Sequence, residues 1–183
     1  MKAPIQSFAY PLLAGILAGC SIVFHSPVLS VVCLVPLLLF LFRTGRFSFA
    51  QGFFFAFTTA VFLFSWMITG AERFTGSSPL YGVGAFLLSA LFFSGYWGLA
   101  AWLWGHYYKM IRRKQGLIPA LLLGAGWALA EEAFFLLISD LPWFGFRAGY
   151  GLSHHIFAIQ YASVGGAGLI SFIAVFLNVL LVQ

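Results

Sequence analysis

The chain has 183 residues, of which 62% are hydrophobic and 7% are charged, and its formal net charge is +5. A soluble domain carries about 25% charged residues, so this composition cannot supply a water-facing surface and excludes an ordinary soluble domain. We expect residues 1–183 to form a single transmembrane domain with no soluble domain, because no long polar stretch interrupts the chain.

The apolar runs predict an all-α, polytopic membrane helix bundle. One run without a charged residue extends over 25 residues, from Phe47 to Ala71, and about 20 apolar residues suffice to cross a bilayer as a helix. The first two helices are short, and a proline after the polar pair in His25-Ser26-Pro27 predicts that they form a hairpin. The six predicted helices are about 8–24, 27–42, 47–70, 80–108, 116–138 and 156–182.

Two of these segments carry further signals. The fourth is longer than a bilayer requires, so we expect either that it is tilted or that its tail, with Trp102, Trp104, Tyr107 and Tyr108, lies at the membrane interface. At the N-terminus, Leu17-Ala18-Gly19-Cys20 is typical of a lipoprotein signal peptide with a lipidated cysteine. The same segment pairs naturally with the next helix as a hairpin, so we retain residues 1–24 in the mature chain.

The positions of the basic residues predict the orientation, because Lys and Arg are retained on the cytoplasmic side. A cytoplasmic N-terminus places seven of the nine basic residues inside and leaves Arg73 and Arg147 outside. Six helices then return the C-terminus to the cytoplasm. The positive charge is therefore an orientation signal, and no basic face remains to indicate nucleic-acid binding.

Glu131 and Glu132 lie in the outer part of the otherwise apolar fifth helix. An acidic side chain near a helix centre costs about 3 kcal/mol to insert into a membrane, so it normally faces protein or water and marks a site. Gly124, Trp127 and Glu131 share one helical face, while Glu132 points about 100° away. The two carboxyl groups therefore cannot face the same groove.

The pair of acids has three interpretations. One acid pairs with Arg147 or Arg73 while the other reaches the lipid headgroups, or Glu131 has a functional role, or one of them is the proton or cation site of a small transporter or channel subunit. The last interpretation receives little support from the rest of the chain, because few polar residues line the helices and its halves show no internal repeat.

The predicted outer loop at 140–150 contains Trp143 and Tyr150 among other aromatic residues, together with proline and glycine. It is either an interfacial anchor or a binding element for acyl chains. His154 and His155 diverge on a helix and have no acid at ligand spacing, so no metal or cofactor site is predicted. The small residues at 165–168 predict close helix packing.

An ordered series of residues resembles the membrane portion of apolipoprotein N-acyltransferase. It runs through nearly the whole chain and begins with Phe24-His25-Ser26-Pro27 and Trp66. It continues with Pro119, Trp127, Glu131, Leu141-Pro142-Trp143, Gly149-Tyr150, Gln160, Ala162, the residues at 165–168, Ser171-Phe172 and Asn178. Two positions depart from the family pattern, since Phe134 stands where an arginine is frequent and Glu132 where an aromatic residue is common.

The resemblance implies a role in transferring an acyl chain from phospholipid to the N-terminal cysteine of a lipoprotein in the bacterial cytoplasmic (inner) membrane. The family's catalytic residues, a Glu, Lys and Cys triad, belong to a nitrilase-like domain that this sequence does not contain. The only lysines, Lys2, Lys109 and Lys114, are all predicted to be cytoplasmic, so no catalytic residue is assigned and we expect no activity from the chain alone.

By resemblance, the chain is a fragment of such an enzyme, or a domain partnered by a separate catalytic chain. It would bind the acyl chains of phospholipid and lipoprotein. The residues predicted to line or shape the binding groove are Trp66, Trp127, Glu131, Trp143 and Tyr150. A purely structural membrane protein is a further alternative, in which substitutions of Glu131 or Trp143 change stability alone.

Overall fold

The computed structural model describes residues 6–76, 78–111, 116–139, 145–153 and 155–183. Within these ranges the chain is helical and contains no strand, which confirms the predicted helical bundle. Five helical spans are long and apolar enough to cross a membrane, and a shorter apolar helix, Phe8–Val23, precedes them. This agrees with the expectation of about six membrane helices, the first of them short.

The structure divides two of the predicted helices into separate elements, and the last helix contains a break at Gly166, where φ is 68° and ψ is −174°. Cys33 and Leu34 separate the halves of the second, and Ser65 separates those of the third. The helices are α1 (Gln6–Val23), α2 (Pro27–Val32), α3 (Val35–Thr44), α4 (Phe49–Phe64), α5 (Trp66–Thr75), α6 (Pro79–Ile111), α7 (Ile118–Leu137) and α8 (Ile156–Leu180), with a 3-10 turn at Tyr150–Leu152 before α8.

The predicted hairpin forms between α1 and α2. His25 adopts a positive φ of 47°, which reverses the chain. Ser26 then caps α2, because its hydroxyl oxygen accepts a hydrogen bond from the backbone N–H of Leu29 at 3.3 Å. Pro27 occupies the first helical turn, where a proline's missing N–H has no consequence.

Helix α4 lies between α1 and α6, and glycines permit the close contacts on both sides. A Cβ atom at Gly15 of α1 would stand 2.5 Å from the carbonyl oxygen of Phe55, and one at Gly52 of α4 would stand 2.5 Å from that of Trp97. Small residues at such crossings allow helices in a membrane to pack through backbone contact. Helices α7 and α8 pack against each other as a second pair.

Two of the four aromatic residues at the end of α6 pack inside the bundle. Trp104 and Tyr108 are only 8% and 6% exposed and belong to the core, whereas Trp102 is 44% exposed. The reason is helical periodicity, since residues four apart share a face, and the face with Trp104 and Tyr108 is turned towards the bundle.

The segment between α7 and α8 enters the core from one end of the bundle. Phe146 is fully buried, and its ring centroid lies 6.1 Å from that of Trp97 and 6.3 Å from those of Phe55 and Phe93. These ring pairs are edge-to-face, a favoured aromatic geometry. We call the described residues between these two helices, 138–139, 145–153 and 155, the α7–α8 loop; Phe146 anchors it between α4 and α6.

Candidate functional site

The carboxyl group of Glu131 lies in the interior, with 0% of the residue exposed. Its Oε1 accepts a hydrogen bond from the indole Nε1 of Trp127 at 2.6 Å and another from the backbone N–H of Ala148 at 2.8 Å. The first bond follows from helical spacing, because residues four apart on α7 lie above one another. The second joins α7 to the α7–α8 loop.

Further contacts fasten the same loop to α8 and to the first hairpin. The N–H of Gly149 donates to the hydroxyl oxygen of Ser171 on α8 at 3.3 Å. Gly151 packs so closely that a Cβ atom there would stand 2.2 Å from the hydroxyl oxygen of Ser30 and 2.6 Å from the carbonyl oxygen of Ser26. Together with Phe146, these contacts join the loop to α4, α6, α7, α8 and the first hairpin.

The second carboxyl oxygen of Glu131, Oε2, has no hydrogen-bond partner among the described residues. The Ser171 hydroxyl lies near the carboxyl group but not in hydrogen-bonding geometry with this atom. A buried polar atom without a partner is uncommon in folded proteins. The arrangement therefore holds the loop through Oε1, with the Ser171 hydroxyl beside the carboxyl group.

Glu132 faces the opposite way and pairs with Arg147 at the surface of the bundle. Both terminal nitrogens of the guanidinium group donate to this carboxylate, Nη2 to Oε2 at 3.3 Å. The guanidinium carbon also lies 4.1 Å from the centroid of the Phe135 ring. Burial lowers the pKa of Arg147, but pairing with Glu132 raises it by more, so its pKa stands above the ordinary value. Of the two acids, Glu132 is thus the partner of Arg147.

Beside Arg147 lies a cavity of about 190 Å³ between the loop and α8. Tyr150 lines it and is partly buried; burial raises the pKa of its hydroxyl group, which therefore keeps its proton at neutral pH and can donate a hydrogen bond. The loop contributes Arg147, Gly149, Tyr150 and Ser153 to the lining, and α8 contributes Ile159, Ala162, Ala167 and Ile170.

The model of the apolipoprotein N-acyltransferase N-terminal domain family matches residues 14–180. The chain belongs to this family. The match includes α2 to α8 in full, and with them Glu131, the described part of the α7–α8 loop and the cavity. No curated protein matches the chain.

The structure places four of the five predicted site residues of this family member, and they lie in three separate settings. Trp127 and Glu131 are brought together in the core, and Tyr150 lines the cavity beside Arg147. Trp66 begins α5, which packs on α6, and it is 47% exposed. Trp143 lies outside the described residues.

Sequence reasoning missed the atoms that complete the site. The backbone N–H groups of Ala148 and Gly149 have no side-chain signal, and Phe146 was one aromatic residue among several. The sequence places Ser171 in the series of residues that resembles the family, but it does not indicate a contact for this side chain. A serine in the middle of an apolar helix is nevertheless a usable signal of such a contact, because its hydroxyl group needs a hydrogen-bond partner. In the described part of the chain, no group of three or more His, Cys, Asp or Glu side chains is arranged to hold a metal ion.

Proposed function

We propose that this chain, as the membrane portion of an apolipoprotein N-acyltransferase, holds the acyl chains of phospholipid and lipoprotein during lipoprotein N-acylation. The observation that carries the proposal is the cavity at the α7–α8 loop, which combines a cation, a phenol and aliphatic walls. Such a mixture suits a molecule with a polar head and an apolar chain. The family match supports the same reaction.

In this proposal the predicted site residues have different tasks. Glu131 and Trp127 are positioning residues, because they hold the loop through Ala148 and are buried away from the cavity's lining. Tyr150 contacts the lipid. Trp66 and Trp143 remain candidates for shaping the surface on which substrates arrive.

The chemical step belongs to a nitrilase-like domain in the same protein or in a partner. That domain takes an acyl chain from phospholipid onto a cysteine as a thioester and passes it to the α-amine of the lipoprotein's diacylglyceryl cysteine. In this proposal the chain does not catalyse the reaction by itself. It lies in the bacterial cytoplasmic membrane with both termini inside, as the basic residues indicate.

The test is reconstitution. The chain is co-expressed with a matching nitrilase-like domain in bacterial membranes, and the mass of a diacylglyceryl peptide is followed for addition of one acyl chain. We expect acylation with both components and none with either alone. A Glu131→Leu variant, which frees the loop, should give less product than Glu131→Gln at equal abundance in the membrane. No product above background with both wild-type components would contradict the proposal.

A further inference from the structure

Helices α3 and α6 end, and α4 begins, at the same end of the bundle. The ring centroid of Phe42, in the last turn of α3, lies 5.2 Å from that of Tyr108 on α6. Phe47, which precedes α4, packs so closely on α6 that a Cβ atom at Gly105 would stand 2.7 Å from the Phe47 carbonyl oxygen. The turn between α3 and α4 is therefore fastened to the last turns of α6.

Three exposed cations lie at this end, and we call Arg43, Arg46 and Lys109 the basic end. Arg43 and Lys109 directly follow the two residues whose rings are in contact, and Arg46 lies in the turn between α3 and α4. The guanidinium Nη1 of Arg43 donates to the hydroxyl oxygen of Tyr10 on α1 at 2.8 Å. This bond holds the side chain in place and uses one of its five N–H donors.

The described acidic side chains lie away from the basic end. Gly82, near the start of α6, packs against the backbone of Met67 on α5, so Glu72, further along α5, lies near the start of α6. That helix has 33 residues and is about 50 Å long. Glu131 and Glu132 are in the second half of α7 and contact the α7–α8 loop. Within the described part of the chain, no carboxylate pairs with the three cations.

Arg46 is not placed where it would stabilise its own helix. It lies two residues before Ser48, the N-cap of α4, and a cation is unfavourable beside the partial positive charge of a helix N-terminus. Its hydrogen bonds with Thr44 are made by its backbone and not by its guanidinium group. An anion supplied from outside the chain would stabilise both the cation and the helix terminus.

The surroundings of these cations favour an anion that carries acyl chains. Phe49 in the first turn of α4, and Leu103 and Met110 on α6, are exposed apolar side chains, and such surfaces of a membrane bundle face lipid. By the predicted orientation this end lies in the cytoplasmic leaflet, where anionic phospholipids attract Lys and Arg. A phosphate group joined to acyl chains matches both the charge and the apolar surface.

We propose that the basic end binds one anionic phospholipid, with its phosphate held by Arg43, Arg46 and Lys109 and its acyl chains lying along α4 and α6. The bound lipid joins the ends of three helices and is not an acyl donor. Phe146 of the α7–α8 loop contacts Trp97, which lies twelve residues before Lys109 on α6, or about 18 Å. This site is therefore separate from the cavity beside Arg147, and the proposal does not depend on the proposed function.

The test is lipid retention by the detergent-purified chain, measured by native mass spectrometry. The probes are dioleoylphosphatidylglycerol, which is anionic, and dioleoylphosphatidylethanolamine, which has the same acyl chains but carries an amine that balances its phosphate. We expect the anionic lipid to be retained at least about fivefold more strongly, in keeping with the contribution of one cation near an anionic headgroup. Equal retention of the two lipids would overturn the proposal.

Arg46 provides the decisive variant, because its side chain makes none of the hydrogen bonds of the turn. Arg46→Gln should lower the preference for the anionic lipid about fivefold, while Arg46→Lys, which keeps the charge, should retain most of it. The matched control is Arg73→Gln, which removes an exposed cation from the last turn of α5 at the other end of α6. A loss in Arg73→Gln as large as that in Arg46→Gln would show that net charge alone retains the lipid and would refute the site.

A last comparison distinguishes a lipid from a free phosphate ion. Sodium phosphate and sodium chloride at equal ionic strength screen charges to the same extent. We expect the two salts to displace the anionic lipid equally, because inorganic phosphate lacks the acyl chains that contact α4 and α6. Stronger displacement by phosphate would assign the basic end to the free ion and would overturn the lipid as its occupant.

Discussion

Replacement of Glu131 is the sharpest test of how the α7–α8 loop is held. The indole N–H of Trp127 and the backbone N–H of Ala148 both donate to Glu131, and the described residues offer them no other acceptor. Glu131→Leu removes this acceptor. A buried donor left unpaired costs about 1–3 kcal/mol, whereas hydrogen bonds in membrane proteins average about 0.6 kcal/mol because the unfolded helices also find partners. For two donors, we expect a loss of about 1–4 kcal/mol.

Glu131→Gln is the matched control. Its amide oxygen can occupy the position of Oε1 and accept from both donors, so we expect a loss below about 1 kcal/mol. Unfolding is followed by circular dichroism while SDS replaces a mild detergent, and exchange of the Ala148 amide is followed by mass spectrometry. The reasoning would be refuted by a leucine variant as stable as the glutamine variant, or by unchanged protection of Ala148 in Glu131→Leu.

Three further predictions use the same unfolding assay. Gly82→Ala should destabilise the bundle, because a Cβ atom would stand 2.6 Å from the carbonyl oxygen of Met67. Gly84→Ala on the same helix places its methyl group in open space and should stabilise the bundle by about 0.5–1 kcal/mol. A Gly82→Ala variant more stable than Gly84→Ala would contradict the packing. Gly166→Ala should cost about 1–3 kcal/mol from backbone strain alone, and no loss would show that α8 is not broken there. Asn178→Leu removes the 2.9 Å contact to the N–H of Leu34 and should cost about 1–3 kcal/mol; an unchanged midpoint would rule out that anchor.

The membrane character and the approximate spans could be read from the sequence, because they depend on local composition. Twenty-five residues without a charge predict a membrane helix whatever lies around them. The common face of Trp127 and Glu131 was likewise accessible, since a separation of four residues on one helix fixes it. The fold of the first hairpin also followed from local rules at Ser26 and Pro27.

Contacts between distant parts of the chain could not be read in this way. That Arg147 pairs with Glu132 rather than with Glu131 depends on where the α7–α8 loop crosses α7. The partner of Glu131 outside its own helix is a backbone N–H seventeen residues away, at Ala148, and every residue except proline carries such a group.

Composition and periodicity therefore determined that this protein is a helical membrane bundle and that Glu131 shares a face of α7 with Trp127 while Glu132 does not. Tertiary structure alone decided that Glu131 is buried and fastens a loop, that Trp104 belongs to the core, and that α8 bends at Gly166. The physical reason is the separation along the sequence of the residues that interact. Apolar runs and helical faces depend on residues a few positions apart, whereas hydrogen-bond partners and cavities depend on how whole helices pack.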